Sequence, residues 1–164
     1  MNGILVLGRI AFVAIFIFSG ITKLIDINAT ADYIAAKVVM PPLLAGLVPA
    51  QFYAYLAQVE GATGMNVPQW QATLAGLIEV ICGLMIAANI GTRLAAFVLI
   101  LFTALTTYYF HDFWNLAGDA RTDQLVHALK NLSIMGGLMI LFALGRQHAF
   151  IARPSTPPQE IERF

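Results

Sequence analysis

Four long apolar runs divide the chain, each close to the length that a helix needs to cross a bilayer. A helix rises about 1.5 Å per residue, so about 20 residues cover a hydrocarbon core of ~30 Å. The runs predict spans at residues 3–23, 72–89, 94–110 and 125–145. We therefore expect an all-α fold, an integral membrane four-helix bundle. It should form a single domain over residues 1–152, followed by a flexible polar tail over residues 153–164.

The region between the first and second spans has a different pattern. Residues 38–59 form a long uncharged run, which could be interpreted as a fifth span. The run contains three prolines, Pro41, Pro42 and Pro49. Prolines break the helical hydrogen-bond ladder, and lipid offers no replacement donors. We therefore expect a re-entrant or interfacial helical segment, with Phe52, Tyr53 and Tyr55 at headgroup level.

Polar residues mark the other connections. Asn28 or Thr30 is expected to cap a short helix that ends at Lys37. Residues 60–71 are predicted to be a polar turn region, and residues 118–123 a short polar loop.

The composition agrees with a membrane location. Of 164 residues, 59% are hydrophobic and 11% charged, whereas a soluble domain has about 25% charged residues. The net charge of zero gives no reason to expect nucleic acid as a partner. The one cysteine, Cys82, excludes an internal disulfide and a thiolate zinc cluster, and no metal site is predicted. The first run is interpreted as a retained span and not a signal peptide, because Arg9 lies inside it.

A carboxylate, Glu79, lies inside the second predicted span. A charge at that depth costs at least ~2.5 kcal/mol on insertion scales, so Glu79 should face other helices and have a partner. Gly76 and Gly83 share its face of the helix, three residues before it and four after it. Small residues at these positions allow a neighbouring helix to approach closely.

Several basic and polar side chains are candidate partners for Glu79. The second and fourth spans run in the same direction, which places Glu79 and Lys130 both on the order of 10 Å below the outer edge. We therefore predict a Glu79–Lys130 ion pair, with Arg9 as the second choice of partner. Asn131 would satisfy the remaining donors and acceptors, and the simplest interpretation of Lys23 is snorkelling at the membrane edge.

The third span ends in an aromatic belt that contains His111 and Trp114, and His127 falls near the same edge. Thr103, like its neighbours Thr106 and Thr107, can bond its own helix backbone and needs no partner. The candidate polar cluster or ligand-binding residues are Glu79, Lys130, Asn131, His111, Trp114, Arg9, Lys23 and His127.

Three interpretations of this cluster stay open. The cluster could fix the helix order as a structural connection. It could bind a quinone or another small redox molecule, with Lys130 and His111 as donors and the belt aromatics as a wall. It could also be a proton or ion path, since carboxylates within membranes serve that purpose.

One motif falls in, or at the end of, each predicted span. Ser19–Lys23 reads S-G-x-x-K, Glu79 is followed by Gly83, Phe110–Trp114 reads F-H-x-F-W, and residues 130–137 read K-N-L-x-I-x-G-G. In this order the motifs resemble the DoxX family of small bacterial membrane proteins. The chain departs from the family pattern at residues 50–71, which look like an insertion.

The resemblance implies a four-helix protein of the bacterial inner membrane, linked to quinol or thiol redox systems, with quinone as the one candidate cofactor. Its expected partners are the lipid bilayer and either other membrane subunits or a second copy of the chain. The alternatives are a non-catalytic accessory or assembly subunit of a larger, respiratory-type complex, and a small transporter. The chain has no flavin, nucleotide or iron–sulfur motif, so catalysis would need a quinone or a partner. Whether the chain is an enzyme stays open.

The arginines near the span ends predict the orientation. Arg93, Arg146 and Arg153 lie on the side of both termini, and basic residues favour the cytoplasmic side. We therefore expect both termini in the cytoplasm. The count is nearly balanced, because three basic residues lie on the other side: Lys23, Lys37 and Arg121.

Overall fold

The computed structural model describes residues 3–39 and 46–145, and all of the regular structure in these ranges is helical. Four helices are long and apolar enough to cross a membrane: α1 (Gly3–Ile25), α4 (Val67–Ala87), α5 (Thr92–Phe110) and α6 (Gly118–Leu144). Two shorter helices, α2 (Ile27–Lys37) and α3 (Ala50–Thr63), lie between the first two spans. The predicted all-helical membrane fold is confirmed. Pro41, Pro42, Arg146, Arg153 and the predicted polar tail lie outside the described residues.

Two helices begin at caps that differ from the prediction. The Asp26 carboxylate accepts the Ala29 N–H at 3.0 Å and caps α2, so the predicted caps at Asn28 or Thr30 are wrong. α4 begins at a capping box in which Asn66 and Gln69 bond each other's backbone N–H groups. Only residues 64–66 of the predicted polar turn region lie outside helices.

The helix that contains the fourth predicted span begins before that span, at Gly118. Residues 118–123 belong to α6 and do not form a loop, with Asp119 in the first turn, where the helix dipole favours an acid. Hydropathy locates the point at which a helix enters the membrane, whereas the hydrogen-bonded helix can begin in the interfacial region before it.

α3 is too short to be a fifth span. Its 14 residues extend about 21 Å, against a hydrocarbon core of ~30 Å. It has no buried residue and ends at Gly64, whose φ is +70°. Its aromatic residues Phe52, Tyr53 and Tyr55 are 46%, 47% and 62% exposed. The prediction that this segment lies in the membrane interface or re-enters the membrane stays a prediction.

α1 and α4 form the most extensive helix pair, and glycines allow it. A Cβ added to Gly20 would lie 2.7 Å from the Gly76 carbonyl oxygen, and one added to Gly76 would lie 2.9 Å from the Gly20 carbonyl oxygen. A Cβ on Gly83 would lie 2.8 Å from Ile17 Cγ1. The predicted stripe of small residues beside Glu79 is therefore the contact surface between the two helices.

The long helices pack as neighbours in the order α1, α4, α5, α6. The apolar core fills the half of the bundle toward Gly3 and Gly145, which we call the terminal end. Val13, Ile86, Leu99 and Leu138 are fully buried there. The opposite end, which we call the α2 end, is covered by α2, which packs on α4. The apolar core thus leaves room for a site toward the α2 end.

Candidate functional site

A cavity of about 490 Å³ lies in the half of the bundle toward the α2 end. All described helices except α3 contribute to its lining. Its polar lining includes Ser19, Lys23, Tyr33, Glu79, Thr103 and Asn131. Most of its remaining wall is formed by aliphatic and aromatic side chains. Sites for small molecules have this size and this mixture of apolar walls with a few polar groups.

Glu79 is held in this cavity by two side chains of α1. Lys23 Nζ lies 2.8 Å from Glu79 Oε2, and Ser19 Oγ donates a hydrogen bond to Glu79 Oε1 at 3.2 Å. Lys23 also donates to the hydroxyl of Ser19, which closes a three-residue network. The Glu79 side chain is 6% exposed and that of Lys23 is 25% exposed. The expectation that Glu79 turns inward and finds a charged partner is confirmed.

The predicted identity of that partner is wrong. Lys130 is exposed on α6, so it does not form the predicted pair with Glu79. Arg9 lies toward the terminal end of α1, and its Nη1 is buried without a hydrogen-bond partner among the described residues. Lys23 reaches Glu79 because the glycine contacts bring α1 and α4 together. The Cβ atoms of a helix also tilt toward its N-terminus, which directs Lys23 back into the bundle and not out to the membrane edge.

A second polar position in the cavity lies on α5. Thr103 is only 4% exposed, and its Oγ1 has no hydrogen-bond partner among the described residues. The hydroxyls of Thr106 and Thr107 donate to the Thr103 carbonyl at 3.0 and 2.7 Å, as predicted. Thr103 therefore departs from the prediction that all three threonines bond their own helix. A buried hydroxyl without a partner is costly, so Thr103 is a candidate contact for a ligand.

Asn131 lies at the boundary between α5 and α6. Its Nδ2 donates to Thr107 Oγ1 at 2.9 Å, so it bonds α5 and not the Glu79 network. It lines the main cavity and also a second one of about 340 Å³, which His127 and Lys130 line as well.

The aromatic belt closes the α2 end of the cavity. Tyr33 stacks on Phe110, with ring centroids 5.1 Å apart, and Lys37 Nζ lies 3.6 Å from Asp112 Oδ1. These contacts attach α2 to the turn that follows α5. α2 therefore covers the cavity at the end of the bundle that lies away from Gly3 and Gly145.

His111 lines the main cavity and is held from two sides. Its Nδ1 lies 2.8 Å from Gln124 Oε1, and its ring stacks on that of His127 at a centroid distance of 5.2 Å. Trp114 is 49% exposed and packs against Tyr108, outside the cavity lining.

The structure divides the eight predicted residues into three groups. Glu79, Lys23, Asn131 and His111 line the main cavity, His127 and Lys130 line only the second one, and Arg9 and Trp114 line neither. Ser19 and Thr103 also line the main cavity but were not among the predicted site residues. Ser19 had a sequence signal, since it precedes Lys23 by one helical turn in the S-G-x-x-K motif.

Four membrane-length helices around a ligand-sized cavity with a buried ion pair define a multi-pass membrane protein with an internal cavity. The sequence model of the DoxX family matches residues 4–59 and 49–112. The chain belongs to the DoxX family, which confirms the resemblance seen in its motifs. The matched residues include Ser19, Lys23, Glu79 and Thr103.

One relative is the inner membrane protein YphA of Escherichia coli (strain K12). It is 27% identical over 142 residues, which cover 87% of this chain and 83% of the relative. No solved structure matches the chain. Together with the four spans, this relationship identifies a multi-pass inner membrane protein.

Proposed function

We propose that the main cavity binds the head of a quinone or a similar small redox molecule, and that the chain is the membrane subunit of a quinol- or thiol-linked redox system. The observation that carries this proposal is the Lys23–Ser19–Glu79 network, which lines a cavity whose walls are mostly apolar. Flat apolar rings with hydrogen-bonding oxygens suit such a cavity.

Each polar group has a role in this proposal. The Lys23 ammonium donates to a ring carbonyl oxygen, and the Glu79 carboxylate accepts a proton from a quinol hydroxyl. The free Thr103 hydroxyl bonds a second ring oxygen. Because the chain has no flavin, nucleotide or iron–sulfur motif, electrons pass between the bound ring and a partner subunit.

We also propose an orientation of the chain in the membrane. Arg93 lies at the terminal end, which we place in the cytoplasm together with both termini. The cavity and α2 then lie toward the opposite face of the membrane.

Binding of ubiquinone with two isoprenoid units to the full chain in nanodiscs tests this function. Glu79→Gln should weaken binding at least about tenfold, the effect of losing a hydrogen bond to a charged group. Thr103→Val should weaken it about three- to tenfold, because it removes a neutral hydrogen bond. Thr106→Val is the matched control, since its hydroxyl already bonds the Thr103 carbonyl, and it should change binding less than about twofold.

Two results would contradict the proposal: wild-type protein that binds no quinone, or Glu79→Gln and Thr103→Val variants that both bind as the wild type does. The first result would favour the alternative function, a non-catalytic accessory subunit. The observation in favour of that alternative is α3, which has no buried residue and exposes three aromatic side chains that a larger complex could cover.

A further inference from the structure

The bundle is not closed between its first and last spans. The long helices pack in the order α1, α4, α5, α6, and α1 and α6 do not form a comparably extensive pair. They meet where the ring of Phe12 lies against Gly137, so that a Cβ added to Gly137 would lie 2.5 Å from Phe12 Cε2. From this contact toward the α2 end, Ile15 of α1 and Ile134 of α6 both border the main cavity. We call this region the α1–α6 seam.

The seam lies between the buried site and the outer surface of the bundle. The main cavity and the second cavity share three lining residues, Ile15, Asn131 and Ile134. The second cavity is also lined by Lys130, which is exposed, and Ile15 is itself 54% exposed. The two cavities are therefore adjacent at Ile15 and Ile134, and a passage from the Lys23–Glu79 pair to the outer surface would run between these two side chains.

We propose that the α1–α6 seam is a lateral portal for a ligand that is dissolved in the membrane and carries an isoprenoid tail. This inference rests on the proposed function and adds the route and the ligand class. The head of the ligand binds at Lys23 and Glu79, and its tail lies between Ile15 and Ile134 and continues into the bilayer. A water-soluble thiol or sulfur compound would have no use for this route.

Two observations favour the seam over entry from water. The α2 end is covered by α2, which the Lys37–Asp112 ion pair and the hydrogen bond from Gln69 to Asn28 at 2.8 Å hold in place. In addition, a cavity of about 490 Å³ has the size of a site for one drug-sized molecule. A long isoprenoid tail must therefore leave it, and through the seam the tail stays in apolar surroundings throughout.

The test uses the full chain in nanodiscs and two probes, ubiquinone with two isoprenoid units and the same ring without a tail. Ile134→Trp fills the seam from α6, and Ile15→Trp fills it from α1. Leu132→Trp is the matched control, because Leu132 is 59% exposed on α6 and lies outside both cavities. Each seam variant should lower the affinity for the tailed quinone about tenfold, because the indole occupies the space of the tail and such overpacking costs about 1–3 kcal/mol. The ring alone should bind with less than about threefold change.

Several outcomes would overturn the portal. If both seam variants bind the tailed quinone as the wild type does while Glu79→Gln does not, the site stands and the ligand enters elsewhere. Equal losses for both probes would make the seam part of the ring site and not a portal. Conversion of an oligomer to a monomer in native mass spectra of Ile134→Trp would show that a second copy covers the seam. If Glu79→Gln and Thr103→Val both bind the two probes as the wild type does, the proposed function itself fails, whatever the seam variants do.

Discussion

Lys23→Met leaves the Glu79 carboxylate without its charged partner inside the bundle, and the size of the effect follows from the exposure of the two side chains. Removing one member of a buried ion pair costs about 3–5 kcal/mol, because it leaves a buried charge uncompensated. The Glu79 side chain is 6% exposed and keeps only the hydrogen bond from Ser19. We therefore expect Lys23→Met to lower the free energy of unfolding by about 3 kcal/mol, the lower end of that range.

Glu79→Gln should lower the free energy of unfolding by a smaller amount than Lys23→Met does. The amide oxygen of Gln can still accept from Ser19, and the Lys23 ammonium, 25% exposed, can turn toward the membrane edge. The expected loss is about 1 kcal/mol, that of one weakened hydrogen bond. The double variant Lys23→Met/Glu79→Gln should lose no more free energy of unfolding than Glu79→Gln alone. This corresponds to an interaction energy of about 3 kcal/mol between the two positions.

Unfolding by sodium dodecyl sulfate in mixed micelles, followed by far-ultraviolet circular dichroism, measures these differences. Lys37→Met is the matched control, since Lys37 pairs with Asp112 at 3.6 Å with side chains 38% and 26% exposed. It should cost less than about 1 kcal/mol, as exposed ion pairs do. Two results would refute this prediction. Glu79→Gln could lower the free energy of unfolding as much as Lys23→Met does, or the losses of the two single variants could add in the double variant.

Two further predictions concern helix packing and orientation. Gly20→Ala should lower stability by about 1–3 kcal/mol in the same assay, because its Cβ would lie 2.7 Å from a backbone oxygen of Gly76, which cannot swing aside. Gly8→Ala on the same helix, with nothing within 4 Å of the added Cβ, should leave stability nearly unchanged, and an equal loss in both would contradict the packing argument. A green fluorescent protein fused to the C-terminus should fluoresce and an alkaline phosphatase fusion there should be inactive, whereas the opposite pattern would place the termini outside the cytoplasm.

The sequence was sufficient for the helical architecture and for the stripe of small residues around Glu79. Both follow from strong physical constraints, the thickness of the bilayer and the cost of a charge inside it. The helix starts were less accurate, because hydropathy does not detect a capping box. The Asn66–Gln69 pair begins α4 within a stretch whose composition resembles a loop.

The site was predicted less well than the fold because depth alone does not determine which charges meet. Glu79 and Lys130 match in depth, but Lys130 is exposed on α6, which is not the helix packed most closely against α4. The information needed was the direction of the side chain, which for Lys23 points back into the bundle. Thr103 gave no comparable signal, since a helical threonine normally bonds its own backbone, as Thr106 and Thr107 do.

The K-N-L motif of α6 combines two roles at successive positions. Consecutive helical residues lie about 100° apart around the axis, so Asn131 can line the site while Lys130 lies on the outer side of the same helix. Asn131 bonds Thr107 and fixes α6 to α5, and Lys130 lies in the second cavity at the outer rim of the α1–α6 seam. An ion pair with Glu79 would have drawn Lys130 inward and filled the passage with its side chain. Because Lys23 supplies that charge from α1 instead, the face of α6 at the seam is left to Ile134, as the proposed portal requires.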